Sequence, residues 1–445
     1  MANSYLSRTL VTGNRTTFTF SAWVKRSKIS STVRLIDVNS AASPGGSYYS
    51  SIFFTSTDEL RFYSTDNGVS IDCRTDMKFR DVSAWYHVVV VHDTTQASSS
   101  DRIKMYVNGT QQSITGTIPG QNADNTMFNY NLNPMSIGRR TYDNSEHFDG
   151  YMSHVAFVDG TALTPTSFGE IDATSGIWKF KPPSSITWGN NGFHLKFENS
   201  GNMGLDSSGE THNFTTSGDL KQSLDTPSNN YTTFSPLHYG DTPPSTTYGA
   251  FSNGNTTYAS SQGGSPYPYT CSTLAASSGK WYAEFKLTRI VNSSMVGITD
   301  GAKYSYLGDG GNKDACLFHD GNFYPGNSSF GNSFSDNDIC GVAMDLDNMK
   351  VYFSKNGTWQ NSGVPTSGAT GTGAANIPTG GLGQFHFAFG DSSSNDPACS
   401  ANFGNGFFGT TAITSAGSNG NGSLFECDVP SGYYALNTKN LNTYG

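Results

Sequence analysis

Residues 17–25 read TFTFSAWVK, and residues 281–288 read WYAEFKLT. In the first stretch Phe18, Phe20, Ala22 and Val24 fall on one side of a two-residue alternation. Thr17, Thr19, Ser21, Trp23 and Lys25 fall on the other. In the second, Trp281, Ala283, Phe285 and Leu287 alternate with Tyr282, Glu284, Lys286 and Thr288. A period of two belongs to a β-strand, whose successive side chains point to opposite faces. The first stretch is therefore expected as a half-buried strand that must lay its apolar face on a second layer.

More segments of the same kind follow. VRLIDV (33–38), LRFYST (60–65), PMSIGRR and GYMSHVAFVDG are read as strands. AWYHVVVVHD (84–93) is almost continuously apolar, as a central strand covered on both faces would be. KMYVNGTQ, from Lys104, and KVYFSKNGTW, from Lys350, each carry an Asn-Gly pair, Asn108-Gly109 and Asn356-Gly357. Asn-Gly suits a type I′ hairpin turn because both central residues need positive φ. The flanks of the two turns do not align: one tyrosine precedes its Asn by two residues, the other by four. They are read as two different modules sharing one hairpin solution.

Composition agrees with many short strands joined by polar turns. Hydrophobic residues are 35%, aromatics 13% and charged residues only 14%, with 50 glycines. WYHVVVV is too short to cross a bilayer, and MANSYLSRTL lacks an apolar signal core, so neither membrane insertion nor signal-directed secretion is expected. Net charge is −9; residues 1–222 hold 18 basic and 20 acidic residues, the remainder 8 and 15. Without a basic stripe, nucleic acid is not an expected partner. The cysteines are Cys73, Cys271, Cys316, Cys340, Cys399 and Cys427, with no C-x-x-C pair to suggest zinc. Buried free thiols are the plain expectation; a Cys316–Cys340 bridge is the alternative.

From Glu170 to about Tyr258 the texture turns rich in Pro, Ser, Thr and Asn, as in FKPPSS, DTPSNN and DTPPSTT, and reads as connecting structure. Within it GFHLKFEN (192–199) is expected as a strand returning to the first module.

Three resemblances add to this. FTFSAWVKRS, WYHVVVVHD…IKMYVNGTQ and IGRR…FDGYMSHVAFVDGTALT, in that order, resemble a laminin-G-type, concanavalin A-like sandwich over residues 5–168. GKWYAEFKL, VGITD, FHDGNFYPG, DICGVAMDLDNMKVYFSKNG and CSANFG resemble a SPRY domain over about 270–408. The assembly, with NSYLSRT, NGFHLKF, LDSSG, SLDTPSNNYTTFSPL and PSGYYALNTKNL, resembles structural proteins of tailed phages of the marine type. The fold expected is all-β: two antiparallel β-sandwiches, a concanavalin A-like jelly roll at 1–200 and a SPRY-like sandwich with a C-terminal strap at 259–445. An extended Pro/Ser/Thr-rich segment at 201–258 would join them.

Chemistry is sparse. No G-x-S-x-G elbow occurs, and His87, between large apolar residues, reads as a satisfied core histidine. Asp345 and Asp347 share a strand face, yet turn formation explains them without acid–base work. No catalytic residue is assigned and no cofactor expected. Calcium is the one cation worth testing, with Asp309 and Asp314 in DGGNKD and Asp336 and Asp338 in SDNDI as ligand candidates, although neither stretch has EF-hand spacing. Binding is the better use of sandwich loops. Tyr48, Tyr49, Tyr304, Tyr306, Tyr324 and Trp359 are the candidate sugar-contacting aromatics, since a ring stacks on C–H groups while nearby polar groups bond hydroxyls.

The phage resemblance implies a non-enzymatic virion component, a tail fibre, spike or appendage that binds a host-surface glycan or protein, located in the virion. Its partners would be other virion proteins and copies of itself, as a trimer, with the second sandwich facing the host. The alternatives are a purely structural capsid or tail decoration and a glycan-cleaving enzyme on the concanavalin A-like fold.

Overall fold

The computed structural model describes residues 4–445 apart from 67, 125, 239–248, 261–266, 303–304, 310–312 and 393–395. The chain divides into two compact units, Met1–Gln222 and Ser223–Gly445. Each is a sandwich of sheets whose strands pair antiparallel, except that Tyr434–Ala435 runs parallel to Trp281–Tyr282 in the second unit.

Among the described residues, the first unit pairs an eight-stranded with a six-stranded sheet. The larger runs Ile114–Thr117, Val69–Lys78, Glu59–Asp66, Tyr48–Phe54, Val33–Asn39, Pro134–Ile137, Tyr5–Thr9, Thr215–Ser217. The smaller runs Phe193–Leu195, Gly150–Asp159, Thr17–Arg26, Tyr86–Asp93, Ile103–Val107, Thr110–Gln111. Phe18, Phe20, Ala22 and Val24 face the core between them, with Phe54, Phe62, Val88, Val90 and Phe157. Burying each large apolar side chain contributes roughly 1.5–3 kcal/mol. GFHLKF does return: Phe193–Leu195 closes one edge of the smaller sheet by pairing with Val155–Phe157.

Thr17–Arg26 differs from the half-buried strand expected. Thr19, Ser21, Trp23 and Lys25, on the face away from the core, are all under 5% exposed. The cause is a strap formed by residues 163–192, whose small hairpin pairs Gly169–Ile171 with Trp178–Phe180. Trp178 donates its indole N–H to His87 Nδ1 at 3.0 Å, and Trp188 joins Phe168, Ala156 and Val158 in a satellite apolar cluster.

At the larger sheet's end, Arg26 and Asp58 form a fully buried ion pair at 3.0 Å. Asp58 also accepts from the Ser30 N–H at 2.7 Å and contacts Arg80 at 3.1 Å.

In the second unit, one sheet runs Gly249–Ser252, Thr257–Ser260, Ala398–Asn402, Lys280–Arg289, Ile339–Asp345, Lys350–Lys355, Thr358–Trp359. The other runs Tyr269–Cys271, His386–Asp391, Ser294–Thr299, Asp314–Phe318, Asn322–Tyr324, Ser328–Ser329. Trp281, Ala283, Phe285 and Leu287 face the core as their alternation requires. Tyr282 and Glu284, on the other face, are also buried, because C-terminal residues return over them and pack Phe425, Val429 and Tyr433 there. Glu284 accepts four hydrogen bonds: from the N–H groups of Cys427 (2.7 Å) and Glu426 (2.9 Å), the Tyr282 hydroxyl (3.2 Å) and Asn402 Nδ2 (3.3 Å). Thr438–Tyr444 is a short terminal helix capped by Asn437, whose side chain accepts from the Asn440 N–H.

The connection differs from the extended segment expected at 201–258. Phe214 sits in the first core and Thr215–Ser217 pairs with Tyr5–Ser7, whereas Tyr231 and Phe234 are buried in the second unit. Apolar residues at these spacings inside a polar segment find cores on either side, and the chain divides between Gln222 and Ser223.

Both Asn-Gly turns have positive φ at both central residues: 47° and 80° at Asn108-Gly109, 48° and 80° at Asn356-Gly357. The units share a further device there. The Asn108 N–H donates to His87 O (2.9 Å) while its Oδ1 accepts from the His87 N–H (2.8 Å). Asn356 makes the same pair with Ile339, at 2.8 and 2.7 Å. All six cysteines are free, so the Cys316–Cys340 bridge does not form.

Candidate functional site

On the outer face of the eight-stranded sheet, alternation places Tyr49, Ser51 and Phe53 on one strand and Arg61, Tyr63 and Thr65 on the next. Asp72 and Arg74 lie on the third. Register sets Phe53 beside Arg61, Ser51 beside Tyr63, Tyr63 beside Asp72 and Arg61 beside Arg74. Arg34, opposite Phe53 on the other side, completes the group.

Five of these side chains close a ring of stacked contacts. The Arg34 guanidinium lies 4.0 Å from the Phe53 ring centre and 5.5 Å from that of Tyr49. Arg61 lies 5.5 Å from Phe53 and 4.6 Å from Tyr63. Tyr49 and Tyr63 stack at 5.3 Å. Such contacts hold planar groups in fixed orientation, each contributing on the order of 0.5–2 kcal/mol.

Carboxylates fix the cations in turn. Arg61 is bidentate to Asp72 at 2.7 and 2.8 Å, and Arg74 grips the same carboxylate at 3.2 and 3.1 Å. Burial pushes the Asp72 carboxyl upward, but hydrogen bonds from Arg61 and Arg74 outweigh it and leave the group below its ordinary range. Arg34 Nε donates to Glu146 at 2.6 Å, and Glu146 also accepts from Arg140 at 2.7 Å. Asp37, fully buried beside Arg34, accepts from the Thr141 N–H at 2.8 Å; burial raises its carboxyl despite that support.

The outcome is an exposed edge on a rigid base. Arg61 and Asp72 keep about a fifth of their side chains exposed and Arg74 nearly half. Like charges directly across two strands repel. Here one carboxylate bridges the Arg61–Arg74 pair, and Nη1 of each has no protein partner among the described residues. Phenol hydroxyls, guanidinium N–H groups and a carboxylate held at fixed angles match the alternating donors and acceptors of adjacent sugar hydroxyls.

Of the aromatics singled out in the sequence, Tyr49 belongs to this face, whereas Tyr48, one residue earlier, packs against the core. In the second unit, Tyr306 lies 6.2 Å from Tyr267, its hydroxyl pushed up to about 12 by burial and by Tyr324. Tyr324 meets Phe318 edge-on at 5.8 Å. Trp359 lies elsewhere, near Tyr282 (6.4 Å) and Tyr352 (6.5 Å). Tyr304 lies outside the described residues.

The acidic candidates are engaged in turns. Asp309 accepts from the Ser305 N–H, Asp314 from Gly308 and Asp336 from Ile290. Asp338 accepts from Ser335 and Asn356 and pairs with Lys355 at 3.0 Å. Among the described residues, no group of three or more His, Cys, Asp or Glu side chains is arranged to hold a metal. His87 is hydrogen-bonded on both ring nitrogens, and Asp345 pairs with Lys280 at 2.9 Å.

Arg34, Arg61, Tyr63, Asp72 and Arg74 were not singled out in the sequence. The available signal was the Arg/Tyr alternation of LRFYST, whose outward positions are neither small nor simply solvating.

Residues 2–167 match the concanavalin A-like lectin/glucanases superfamily, by its laminin G model. The candidate face lies inside that range. Among solved structures the chain is similar to the SPRY domain of human HERC1 (15% identity over 38% of this chain and 96% of that one, TM-score 0.30). It is also similar to a heptameric SAP-like pentraxin from Limulus polyphemus (17%, 42% and 82%, TM-score 0.30). Domains LG4-5 of the mouse laminin alpha1 chain are another such structure (10%, 89% and 78%, TM-score 0.30). No curated protein sequence matches the chain.

Proposed function

We propose that the chain is a non-enzymatic carbohydrate-binding component of a virus particle, of the tail-fibre, spike or appendage kind, that contacts a host-surface glycan. The observation that carries the binding reading is the ring of Arg34, Phe53, Arg61, Tyr63 and Tyr49, with Asp72 and Arg74 at its exposed edge. The superfamily matched by the first sandwich supports it, since its description names lectins. The phage part rests on the resemblance of NSYLSRT, NGFHLKF, LDSSG, SLDTPSNNYTTFSPL and PSGYYALNTKNL to elements of tailed-phage structural proteins. The reading face thereby moves from the second sandwich, where the sequence placed it, to the first. A homo-oligomer, a trimer in this reading, gains residence through several linked weak sites.

The test is binding of the full chain to a glycan array and to host-surface polysaccharide, beside Tyr63→Ala and Arg74→Ala. Binding that weakens at least tenfold in both variants, with polysaccharide length unchanged on incubation, is expected. No glycan bound by the native chain, equal binding by the variants, or shortened polysaccharide overturns the reading.

A further inference from the structure

The strap over the six-stranded sheet of the first unit rests on three histidines. An indole N–H is a donor only, so the 3.0 Å bond from Trp178 Nε1 makes His87 Nδ1 an acceptor. The single ring proton then sits on Nε2 and is donated to Ser21 Oγ at 2.9 Å. Phe180 lies flat on His154 at 3.5 Å, and Trp188 lies parallel to His194 at 5.9 Å. His154 Nδ1 and His194 Nε2 are 3.4 Å apart, so one of them must be an acceptor. Trp178 is closely seated: a Cβ added at Gly109 or Gly169 would stand 2.6 or 2.5 Å from its ring.

We propose that this strap is an acid-released cover, held while the three histidines are neutral and lifted as they take up protons, before the sandwich itself unfolds. A proton on His87 Nδ1 would set an N–H against the indole N–H. Protonating both His154 and His194 would set two N–H groups against each other inside a buried cluster. The surrounding charges do little to compensate. Lys25, on the central strand, lies 5.5 Å from the Tyr151 ring, and Lys196, two residues beyond His194, adds positive charge. Asp206, which accepts from the His194 N–H at 2.9 Å, is the opposing carboxylate. On the strap, Lys179 pairs with Asp172 (3.0 Å) and Glu170 (3.5 Å), and Lys181 donates to Thr166 O. Burial, first, holds His87 and His154 down to about 3 and His194 to about 4; His154 lowers His87 further, His194 and then Lys196 lower His154, and Lys196 lowers His194 against Asp206. Uncovered histidines regain an ordinary value near 6.5, so below that pH the open state binds more protons and is favoured as pH falls. From pH 7.5 to 4.5 each histidine shifts the open-to-closed ratio by roughly 100-fold.

Hydrogen exchange of the full chain at pH 7.5 and 4.5, corrected for intrinsic exchange, tests this. The strap amides that bond within it, Asp172 to Ile177 O and Lys181 to Phe168 O, should lose at least tenfold in protection at pH 4.5. Thr17–Arg26 and Tyr86–Asp93 should stay protected. His92, buried on the core side of the latter strand and lowered to about 4, is the competing acid-sensitive group, and its protonation would open the core instead. The variant H87Q/H154F/H194Q keeps an acceptor for Trp178 and the stack under Phe180 without a titrating ring, and should keep its strap protected at pH 4.5. Should that variant lose core protection already at pH 7.5, the native comparison decides alone. Equal strap protection at both pH values overturns the proposal, as does loss in strap and core together or unchanged acid release in a folded variant.

Discussion

Glu284 should make the second sandwich less stable as pH rises. Burial pushes its carboxyl from the ordinary 4.5 up to about 7, against the pull of the Cys427 and Glu426 amides, Tyr282 and Asn402. Below pH 4.5 the group is protonated in folded and unfolded chains alike and contributes nothing. Between 4.5 and about 7 the unfolded chain releases a proton that the folded chain keeps, so stability falls; above 7 the loss is complete. At 1.36 kcal/mol per pH unit this amounts to about 3 kcal/mol. Glu284→Gln removes the ionisation, so the variant should lack that part of the pH dependence, at a pH-independent cost because its NH2 faces donors that a carboxyl oxygen accepts from. The cysteines supply the assay. Cys271, Cys316, Cys340 and Cys399 are buried in the second unit, and Cys73 in the first. Labelling of the full chain across a urea series with dithiodipyridine, which reacts at acidic as well as neutral pH, reads both units in one sample. The native-minus-variant difference for the four thiols should change by about 3 kcal/mol between pH 4.5 and 8, with Cys73 unaffected. No change would mean that Glu284 is ionised throughout and that its four donors outweigh burial.

The two Asn-Gly turns should respond unequally to the same substitution. Gly357→Val, with φ at 80° and its nearest outside atom Cys427 Sγ 3.6 Å from the new Cβ, should cost about 1–3 kcal/mol. Gly109→Val has the same φ but must also displace the Trp178 ring, so its urea midpoint should fall further; equal losses would count against the seating of that ring. Asp58→Ala strands the buried Arg26 guanidinium and should destabilise the first unit by about 3–5 kcal/mol, read at Cys73. A loss below about 1 kcal/mol would show that water reaches Arg26.

Strands and turns were legible because period-two alternation and Asn-Gly chemistry are local. Phe18, Phe20, Ala22 and Val24 could be assigned to a core face from their spacing alone. What covers the opposite face could not be read. Trp178, Phe180 and Trp188 lie in a stretch whose Pro, Ser and Thr content says connection, and Phe425 and Tyr433 lie in a Gly- and Ser-rich tail. Three or four rings in a polar segment acquire meaning only when tertiary structure brings a sheet beneath them. The candidate face was hidden for a related reason. Tyr49 was noticed as an aromatic in a polar stretch, but Tyr63, Arg61, Asp72 and Arg74 become its neighbours through strand register, which no local pattern specifies. Asp309, Asp314, Asp336 and Asp338 show the converse: hard oxygen donors drew attention, while bonds to nearby backbone N–H groups and a lysine account for them.

The paired bonds that tie Asn108 to His87 and Asn356 to Ile339 also bear on how the protein ages. Asn-Gly is the dipeptide most prone to spontaneous deamidation, because the glycine nitrogen readily attacks the asparagine side-chain carbonyl carbon to close a succinimide. In both turns that carbonyl oxygen is held by a strand N–H, and the asparagine backbone N–H is held as well, at 2.7–2.9 Å throughout. Ring closure would have to break those bonds and rotate the side chain out of the hairpin. The folded molecule therefore shields these two of its eight Asn-Gly junctions, and an isoaspartate at residue 108 or 356 would mark chains whose sandwich had opened at some time since synthesis.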